Sequence, residues 1–322
     1  MNSAVEQAAL LALDWGSSGL RAFLINAQGL TLATRSSAQG ASVMNGKPEA
    51  YLAALDQIAG DWLLARPQLP LLACGMVGAK HGWREAPYAD CPAGEADLAA
   101  QTVSVDANGR SLRIIPGLLH QPAGLPPDVM RGEETQLIGA LQLYPQLTEA
   151  ACVVMPGTHS KWAELREANV RGFVSQMTGE LYALLRQHSV LGRLMPEQVE
   201  ASDTAAFLKG VQAARDQGEL GLAHQLFAVR TLGLMEQLPA AGLADYLSGL
   251  LIGHELRAGL AWRAAQGLSQ APLVLIGEPT LCARYEQGLS VFACKPDLLL
   301  DNTAPAGLWR LAQSAAWLLT TN

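Results

Sequence analysis

Residues 10–25 read LLALDWGSSGLRAFLI, and residues 151–165 read ACVVMPGTHSKWAEL. Each stretch is an apolar run, a short turn rich in glycine and hydroxyl side chains, and a second run with strand character. Apolar runs that end at a glycine-rich turn are typical of buried strands. Because the phrase occurs twice, about half the chain apart, the sequence predicts a duplicated β-hairpin. Two turns that both offer backbone N–H groups and hydroxyls suit the binding of one phosphate chain.

The composition limits the classes of protein to consider. The chain has 322 residues, of which 50% are hydrophobic and 16% charged. This length predicts about two domains, and the composition is sufficient for sizeable cores. No run reaches the roughly 18 apolar residues that a membrane-spanning helix needs. The first residues lack the basic segment of a signal peptide, and the five cysteines show neither a disulfide nor a zinc pattern. We therefore expect a cytoplasmic protein that does not bind a membrane.

The charge pattern argues against nucleic-acid binding. The formal net charge is −7, and the chain has no long basic run. Small anionic ligands are still compatible with this charge, because local N–H groups and a few cations decide their binding.

Strands and helices alternate along both halves of the chain, in the order three strands, helix, strand, helix. Strands are predicted at 10–14, 20–25, 30–35, 71–76, 151–155, 161–165, 170–177, 273–276 and 291–293. Helices are predicted at 48–64, 133–143, 280–288 and 308–319, and the pattern is helical through most of 179–267. The proline-rich segment near residue 125 predicts a boundary. We expect an α/β fold of two duplicated domains, 1–125 and 126–303, with a C-terminal helix at 304–322 returning to the first.

The first turn predicts a phosphate and metal site. Asp14 ends the strand and could hold Mg²⁺ through water, while Gly16, Ser17 and Ser18 present N–H groups and hydroxyls to phosphate oxygens. The alternative is an ordinary hairpin turn, since glycine and serine favour turns anyway.

The second copy strengthens the phosphate interpretation. Gly157, Thr158 and Ser160 occupy the corresponding positions. Lys161 either meets phosphate charge or is a solvated surface lysine.

A pair of carboxylates at the predicted start of a helix is a candidate for catalysis. Glu133 and Glu134 follow Gly132, and glutamate at this position is favoured by the helix dipole alone. The functional interpretation is a general base that accepts the proton of a substrate hydroxyl. Glu133 is the predicted base, with Glu134 as the alternative.

A glycine-rich loop after the strand at 71–76 carries cations. Lys80 and Arg84 could bind a carboxylate substrate, as could Arg131 further along the chain. Trp83 is predicted to contact the substrate. The alternative is a mobile surface loop.

These motifs together resemble the actin-like kinase/ATPase superfamily, which has two duplicated ribonuclease H-like domains. The resemblance implies a mixed five-stranded sheet in each domain, an interdomain cleft, and ATP with Mg²⁺ as cofactors. Gly277 and Glu278 resemble the adenosine motif, which normally has two glycines. Residues 132–139 and 306–319 resemble the two connecting helices. Residues 132–139 are also similar to the segment of FGGY carbohydrate kinases that carries a catalytic aspartate, with Glu133 at that position.

The closer resemblance covers nearly the whole chain and is to the 2-dehydro-3-deoxygalactonokinase family. The resembling phrases are DWGSS at 14–18, GAKHGWREAPY at 78–88, MRGEE at 130–134, PGTHSKW at 156–162 and MTGE at 177–180. The resemblance implies ATP-dependent phosphorylation of 2-dehydro-3-deoxy-D-galactonate at its terminal (6-)hydroxyl in galactonate catabolism. The implied partners are the sugar acid and ATP, and a homodimer is compatible with the sequence.

Several alternatives stay open at this point. A kinase for another sugar or sugar acid, such as 2-dehydro-3-deoxygluconate, would have the same motifs. A hexokinase-like enzyme for neutral sugars would not need the cationic loop. An exopolyphosphatase-type phosphohydrolase has a similar connecting segment but no organic acceptor. A non-catalytic chaperone or regulator would be expected to carry an additional binding module.

Overall fold

The computed structural model describes residues 3–196 and 202–318, which form two compact units. The first comprises residues 3–149, 165–173 and 302–318, and the second comprises residues 150–164, 174–196 and 202–301. The division after residue 149 lies later than the boundary expected near 125, because the helix that begins at Glu133 packs within the first unit. Residues 319–322 of the expected C-terminal helix lie outside the described residues.

The strands lie in the following ranges: β1 (Ala8–Trp15), β2 (Leu20–Asn26), β3 (Thr31–Ser37), β4 (Leu71–Gly75), β5 (Tyr88–Asp90), β6 (Val103–Asp106), β7 (Ser111–Ile114), β8 (Gly117–His120), β9 (Asp128–Met130), β10 (Ala150–Met155), β11 (Ser160–Arg166), β12 (Asn169–Gln176), β13 (Leu273–Ile276) and β14 (Leu298–Leu300). The helices lie in the following ranges: α1 (Ser3–Gln7), α2 (Ala41–Met44), α3 (Pro48–Ala65), α4 (Glu95–Ala100), α5 (Glu133–Leu143), α6 (Thr178–His188), α7 (Thr204–Gln217), α8 (Leu222–Leu234), α9 (Leu243–Ala265), α10 (Pro279–Val291) and α11 (Ala304–Ser314).

The main sheet of the first unit has the order β3-β2-β1-β4-β7-β6. Strand β1 is antiparallel to β2 and parallel to β4, so Asp14 lies opposite Arg21 on one side and beside Cys74 on the other. The resemblance implied five strands, and this sheet has a sixth, β6. It pairs antiparallel with β7 through a tight turn at Asn108 and Gly109, where both backbones have positive φ. Strands β5, β8 and β9 form a separate small sheet.

The other main sheet has the order β12-β11-β10-β13-β14. Its central strand β10 is parallel to β13, which is parallel to β14. This order repeats that of β3-β2-β1-β4-β7, so the predicted duplication is confirmed. The strand predicted at 291–293 is wrong. Helix α10 continues to Val291, and Phe292 ends it by donating its N–H to Leu289 and Ser290, so the edge strand is β14.

Strand β1 is buried on both faces, as its apolar run predicts. From Ala8 to Leu13 no side chain is more than 2% exposed. Helix α3 covers one face, where Trp15 contacts the ring of Tyr51 edge-on at a centroid distance of 5.1 Å. Full burial of large side chains of this kind stabilises each unit by about 1.5–3 kcal/mol per residue.

Helices α5 and α11 pack against each other in the first unit. The hydroxyl of Thr303, just before α11, donates to the carbonyl oxygen of Gln136 at 2.7 Å. Arg310 of α11 is paired with Glu95 of α4. These contacts fix α5, and thereby the position of Glu133 at its start.

None of the helices within residues 3–196 and 202–318 has both the length and the apolar character to cross a membrane.

Candidate functional site

The turn between β1 and β2 is closed by its own backbone. The N–H of Gly16 donates to the carbonyl oxygen of Gly19 at 2.9 Å, so this N–H is used within the turn, and the role of Gly16 at phosphate stays a prediction. The side chains of Ser17 and Ser18 are exposed. Ser18 and Asp14 line a cavity of about 270 Å³ beside the turn. Of the predicted phosphate-binding groups in this turn, Ser17 and Ser18 have exposed side chains, and Gly16 also lines the cavity.

Asp14, near the end of β1, forms an ion pair with the exposed side chain of Arg21. One carboxylate oxygen lies 2.6 Å from Nη2 of Arg21, and the Asp14 side chain is 13% exposed. Burial raises the pKa of Asp14, and the charge of Arg21 opposes that shift. Asn302 also hydrogen-bonds the carboxylate.

The groups around Asp14 bear on the predicted Mg²⁺. Within the described residues, no three His, Cys, Asp or Glu side chains come together as a metal-binding group. A magnesium ion at Asp14 would therefore rely on fewer than three such side chains, with water and phosphate oxygens completing its ligands. Mg²⁺ commonly binds in this way, so the residues present fit the ion.

Two glycines allow three backbone segments to meet where β1 and β4 end. Gly75 has φ 91° and Gly132 has φ 107°. A Cβ atom on Gly75 would lie 2.7 Å from the carbonyl oxygen of Trp15, and one on Gly132 would lie 3.3 Å from Cα of Gly75. The start of α5 is therefore held beside the carboxyl ends of the central strands, where open α/β sheets bind ligands.

The two glutamates at the start of α5 have different surroundings. Glu133 is partly exposed and accepts the N–H of Arg131 at 3.0 Å. Glu134 is fully buried and accepts the N–H of Gly132 at 2.6 Å and the hydroxyl of Thr135 at 2.9 Å. Burial, with a further contribution from the charge of Glu133, raises the pKa of Glu134 to about 8. Of the two carboxyl groups, Glu133 is the one that solvent reaches.

The loop after β4 is held by backbone hydrogen bonds. Trp83 donates its N–H to Val77 at 2.9 Å. Its indole is only 8% exposed and stacks on Tyr51 at a centroid distance of 5.5 Å. Trp83 therefore packs within the first unit, and its predicted contact with the substrate stays a prediction. Lys80 and Arg84 are exposed.

Arg131 links this loop to the small sheet. Its Nη2 donates to the carbonyl oxygen of Ala86 at 2.8 Å, and the guanidinium lies 4.2 Å from the ring centroid of Tyr88. Its Nε and Nη1 are buried, and no acceptor among the described residues is within hydrogen-bond reach of either. Arg131 thus fixes the far end of the loop that presents Lys80 and Arg84.

The turn between β10 and β11 differs from the first in its buried groups. Gly157 and Thr158 line a cavity, whereas Ser160 is fully buried. The N–H of Gly157 donates to the Ser160 hydroxyl at 3.3 Å, so Ser160 supports the turn from behind. Lys161 is 4% exposed, and its Nζ donates to the carbonyl oxygen of His159 at 3.0 Å. Of the two interpretations of Lys161, the solvated surface lysine is therefore wrong.

The cavity beside this turn has a volume of about 550 Å³, within the range of small-molecule sites. Its walls combine apolar side chains with a few polar groups. The lining residues are Gly157, Thr158, Thr178, Gly179, Tyr182, Ser248, Leu251, Ile252, Glu278, Leu281, Arg284 and Tyr285. Sequence analysis assigned no role to Tyr182, Ser248, Arg284 or Tyr285. For Arg284 and Tyr285 the available signal was positional, because α10 directly follows the Gly277–Glu278 turn.

Glu278 caps helix α10. Its carboxylate accepts the N–H groups of Thr280 at 3.0 Å and Leu281 at 2.9 Å, and these backbone donors lower its pKa. Its backbone has φ −61°, which any residue adopts, so a second glycine is not required here. Gly277 donates its N–H to Leu300 at 3.0 Å.

Comparison with known proteins places the chain in one family. The chain matches the 2-keto-3-deoxy-galactonokinase family over residues 14–311. It is 37% identical over 309 residues to the 2-dehydro-3-deoxygalactonokinase of Escherichia coli strain K12, which covers 95% of this chain and 98% of that protein. A crystal structure from Sinorhizobium meliloti, provisionally described as a 2-dehydro-3-deoxygalactonokinase, is 34% identical and superposes with a TM-score of 0.82, covering 95% of this chain and 98% of the other.

A more distant structure shares the fold alone. The activator of 2-hydroxyisocaproyl-CoA dehydratase from Clostridium difficile, solved with bound ADPNP, is 11% identical, with a TM-score of 0.52 and 96% of each chain covered. The predicted actin-like α/β fold is thereby confirmed. Because the family match covers residues 14–311 and the Escherichia coli enzyme is 37% identical, the chain belongs to the 2-keto-3-deoxy-galactonokinase family.

Proposed function

We propose that this protein is an ATP-dependent kinase that phosphorylates 2-dehydro-3-deoxy-D-galactonate at its terminal (6-)hydroxyl. The observation that carries the proposal is a cavity of about 550 Å³ with a glycine turn at its edge, in a chain of this kinase family. The hydroxyl oxygen forms a bond to the γ-phosphorus, the bond from that phosphorus to the β–γ bridging oxygen breaks, and ADP leaves. We expect the reaction to take place in the cytoplasm. That the protein forms a homodimer stays a prediction.

The second unit is the proposed nucleotide side. Tyr182, Leu251 and Ile252 supply an apolar wall for an aromatic base, and Gly157 with Thr158 supplies the polar end for phosphates. The N–H groups at the start of α10 are already bonded to Glu278, which leaves the turn at Gly157 as the better phosphate position. Phosphate binding at such turns relies on backbone dipoles.

The first unit is the proposed metal and acceptor side. Asp14 would hold Mg²⁺ through water, and Ser17 and Ser18 would contact phosphate. A bound Mg²⁺ would neutralise charge on the phosphate oxygens. Glu133 would accept the proton of the attacking hydroxyl, since it is the exposed member of the glutamate pair.

The acceptor carboxylate is proposed to bind the cationic loop. Lys80 and Arg84 are exposed, and Arg131 fixes the loop through the carbonyl oxygen of Ala86. A charge-assisted hydrogen bond contributes about 1.5–3 kcal/mol, so Arg84→Ala should raise KM for the sugar acid by about 10- to 100-fold. The amide of the same acid is the control, because it lacks the charge and should show no such difference.

A coupled ADP-release assay with Mg-ATP tests the proposal. The acceptors are 2-dehydro-3-deoxygalactonate, its gluconate epimer, neutral sugars, polyphosphate and buffer alone, with the product identified by ³¹P NMR. We expect ADP release with the galactonate derivative, and a phosphomonoester on its terminal carbon. Activity on neutral sugars only, or phosphate release without an acceptor, would overturn the proposal.

A further inference from the structure

A buried carboxylate lies behind the second turn. Glu255, in the middle of α9, is 3% exposed, and its oxygens accept hydrogen bonds from Trp162, Thr178 and Tyr285. We propose that Glu255 is a positioning residue that fixes the phosphate end of the cavity in the second unit. This inference rests on the proposed function, in which that cavity binds ATP.

The donors come from three different elements. Trp162 of β11 donates its indole N–H to Oε1 at 3.0 Å, and Tyr285 of α10 donates its hydroxyl to Oε2 at 2.6 Å. Thr178, the first residue of α6, donates its hydroxyl to the same oxygen. Thr178 and Tyr285 also line the cavity. One carboxylate therefore ties strand β11 and two helices that line the cavity, α6 and α10, to α9.

A second set of contacts connects Glu255 to the turn. The hydroxyl of Ser160 lies 3.0 Å from the hydroxyl of Tyr285. Ser160 also forms a hydrogen bond with the carboxyl group of Glu255. The N–H of Gly157 donates to the Ser160 oxygen at 3.3 Å. The hydroxyls of Thr178 and Tyr285 donate to Glu255, and the Ser160 oxygen is left to accept from Gly157. Ser160, predicted from sequence as a phosphate ligand, thus acts through the turn.

The surroundings of Glu255 indicate that its carboxylate does more than fill the core. Its neighbours on α9, Ile252 and Leu256, belong to the apolar core. Burial of a carboxyl group is unfavourable unless its hydrogen bonds are satisfied, and burial raises the pKa of Glu255. The donors that satisfy it belong to, or directly support, the cavity and its turn. A residue that only filled the core would not need this set of partners.

The variant Glu255→Gln tests the inference. The amide has one acceptor oxygen and introduces an NH₂ group among donors, so at least one of the donors loses its partner. We expect KM for ATP to rise about tenfold or more. The KM for the sugar acid should change by less than about twofold, since the acceptor groups lie in the first unit.

Leu256→Ala is the matched control for loss of stability. Leu256 is fully buried in the same helix and core but is not part of the hydrogen-bond network. It should lower Tm at least as much as Glu255→Gln and leave KM for ATP unchanged. If both variants raise KM for ATP equally, or if Glu255→Gln lowers only Tm, the inference is overturned. If Glu255→Gln does not fold, Ser160→Ala and Tyr285→Phe replace it, and an unchanged KM for ATP in both would overturn the inference.

A separate variant distinguishes this inference from the proposed function. Ser248 lines the cavity, and Ser248→Trp would fill it. Calorimetric titration with Mg-AMPPNP should show loss of binding in Ser248→Trp. Retained binding would remove the nucleotide site from this cavity, and the role of Glu255 with it. Lost binding in Ser248→Trp together with wild-type affinity in Glu255→Gln would overturn the role of Glu255 alone.

Discussion

Glu133 and Glu134 are neighbours in sequence, and their surroundings separate their chemistry. The Glu134 carboxyl is enclosed by the start of its own helix, where it accepts from Gly132 and Thr135. Glu133 is reached by solvent. A general base must come within hydrogen-bond reach of the substrate hydroxyl, and its accessibility makes Glu133 the proposed base of the two.

The first prediction concerns the proposed base. Glu133→Gln keeps the size of the side chain and removes its ability to accept a proton. General-base catalysis contributes about 10²- to 10⁴-fold, so we expect kcat to fall by that factor while ATP affinity stays at the wild-type value. Steady-state kinetics and calorimetric titration with Mg-AMPPNP measure the two quantities. Near-normal turnover in Glu133→Gln would exclude Glu133 as the base.

The second prediction concerns the pH dependence of stability. Glu134 has a pKa of about 8 in the folded chain against an ordinary value of 4.5. Between these two values the folded chain holds a proton that the unfolded chain has lost, so raising the pH favours unfolding. The destabilisation by Glu134 is absent below about pH 4.5, grows through this window, and levels off above about pH 8.

Glu134→Gln removes this titration and keeps a similar shape. The free energy of unfolding of the wild type should therefore fall relative to that of Glu134→Gln between pH 5 and 8, by on the order of a few kcal/mol. Urea denaturation of both proteins across this range measures the difference, in which the titration of all other shared groups largely cancels. A difference that does not change with pH would contradict the assignment of a raised pKa to Glu134.

At the residue scale, the sequence predicted the chemical type of the site residues better than it predicted which of them solvent reaches. Ser160 and Trp83 were expected at the ligand because their types suit phosphate and sugar. Both are buried, since the turn needs an acceptor behind Gly157 and the loop needs an apolar anchor against Tyr51. Burial of this kind depends on packing between distant segments, which a local motif does not encode.

At the scale of elements, each hairpin turn is packed against the start of a following helix. After the first turn, Ala41 of α2 donates its N–H to the carbonyl oxygen of Gly16 at 2.9 Å. After the second, Glu180 of α6 donates its N–H to Thr158 at 3.0 Å. A Cβ on Gly40 or Gly179 would lie only 2.2 or 2.5 Å from a carbonyl oxygen of the turn beside it. Each copy of the hairpin therefore has its own supporting helix, α2 in the first unit and α6 in the second.

The third prediction tests this support in the second unit. Gly179→Ala would place its Cβ 2.5 Å from the carbonyl oxygen of Gly157, so the turn must shift. Overpacking of this kind costs about 1–3 kcal/mol, and we expect KM for ATP to rise about tenfold. Gly233→Ala on α8 is the control, because its new Cβ would meet only the flexible ends of leucine side chains. Equal KM values for ATP in both variants would argue against a role for the packing of α6.

The elements themselves were predictable where their patterns are strong. The hairpins at 10–25 and 151–165 and the helix at 133–143 have clear apolar periodicity and glycine turns. The edge strand β14 was placed too early in the chain, because Val291 and Phe292 are apolar and their helical context comes from α10. Tyr285 and Arg284 were missed as cavity residues, since only tertiary packing turns one face of α10 toward the cavity.

At the scale of the whole molecule, the duplicated units have diverged in the groups that they present. The first carries the strand-ending Asp14, the exposed serines of its turn, and Glu133. The second carries the larger cavity and the network around Glu255. Phosphoryl transfer needs mainly positioning and neutralisation of charge, and these two tasks can be divided between copies of one fold. Ligand protection should therefore separate by unit.

The fourth prediction is a map of hydrogen exchange for the full chain. Because ligand binding stabilises the segments that it orders, Mg-AMPPNP should slow amide exchange most at 157–161, 178–182 and 278–285, with a smaller effect at 14–18, where Mg²⁺ and phosphate contacts are proposed. The sugar acid alone should instead slow exchange at 79–88 and 130–134, where the cationic loop and Glu133 lie. Ser248→Trp is the control for the nucleotide, since it should abolish the first set of changes and leave the second. Protection by the nucleotide confined to 14–21 and 36–42 would place its main site on the first unit, because the Asp14 cavity would then hold more than the terminal phosphates.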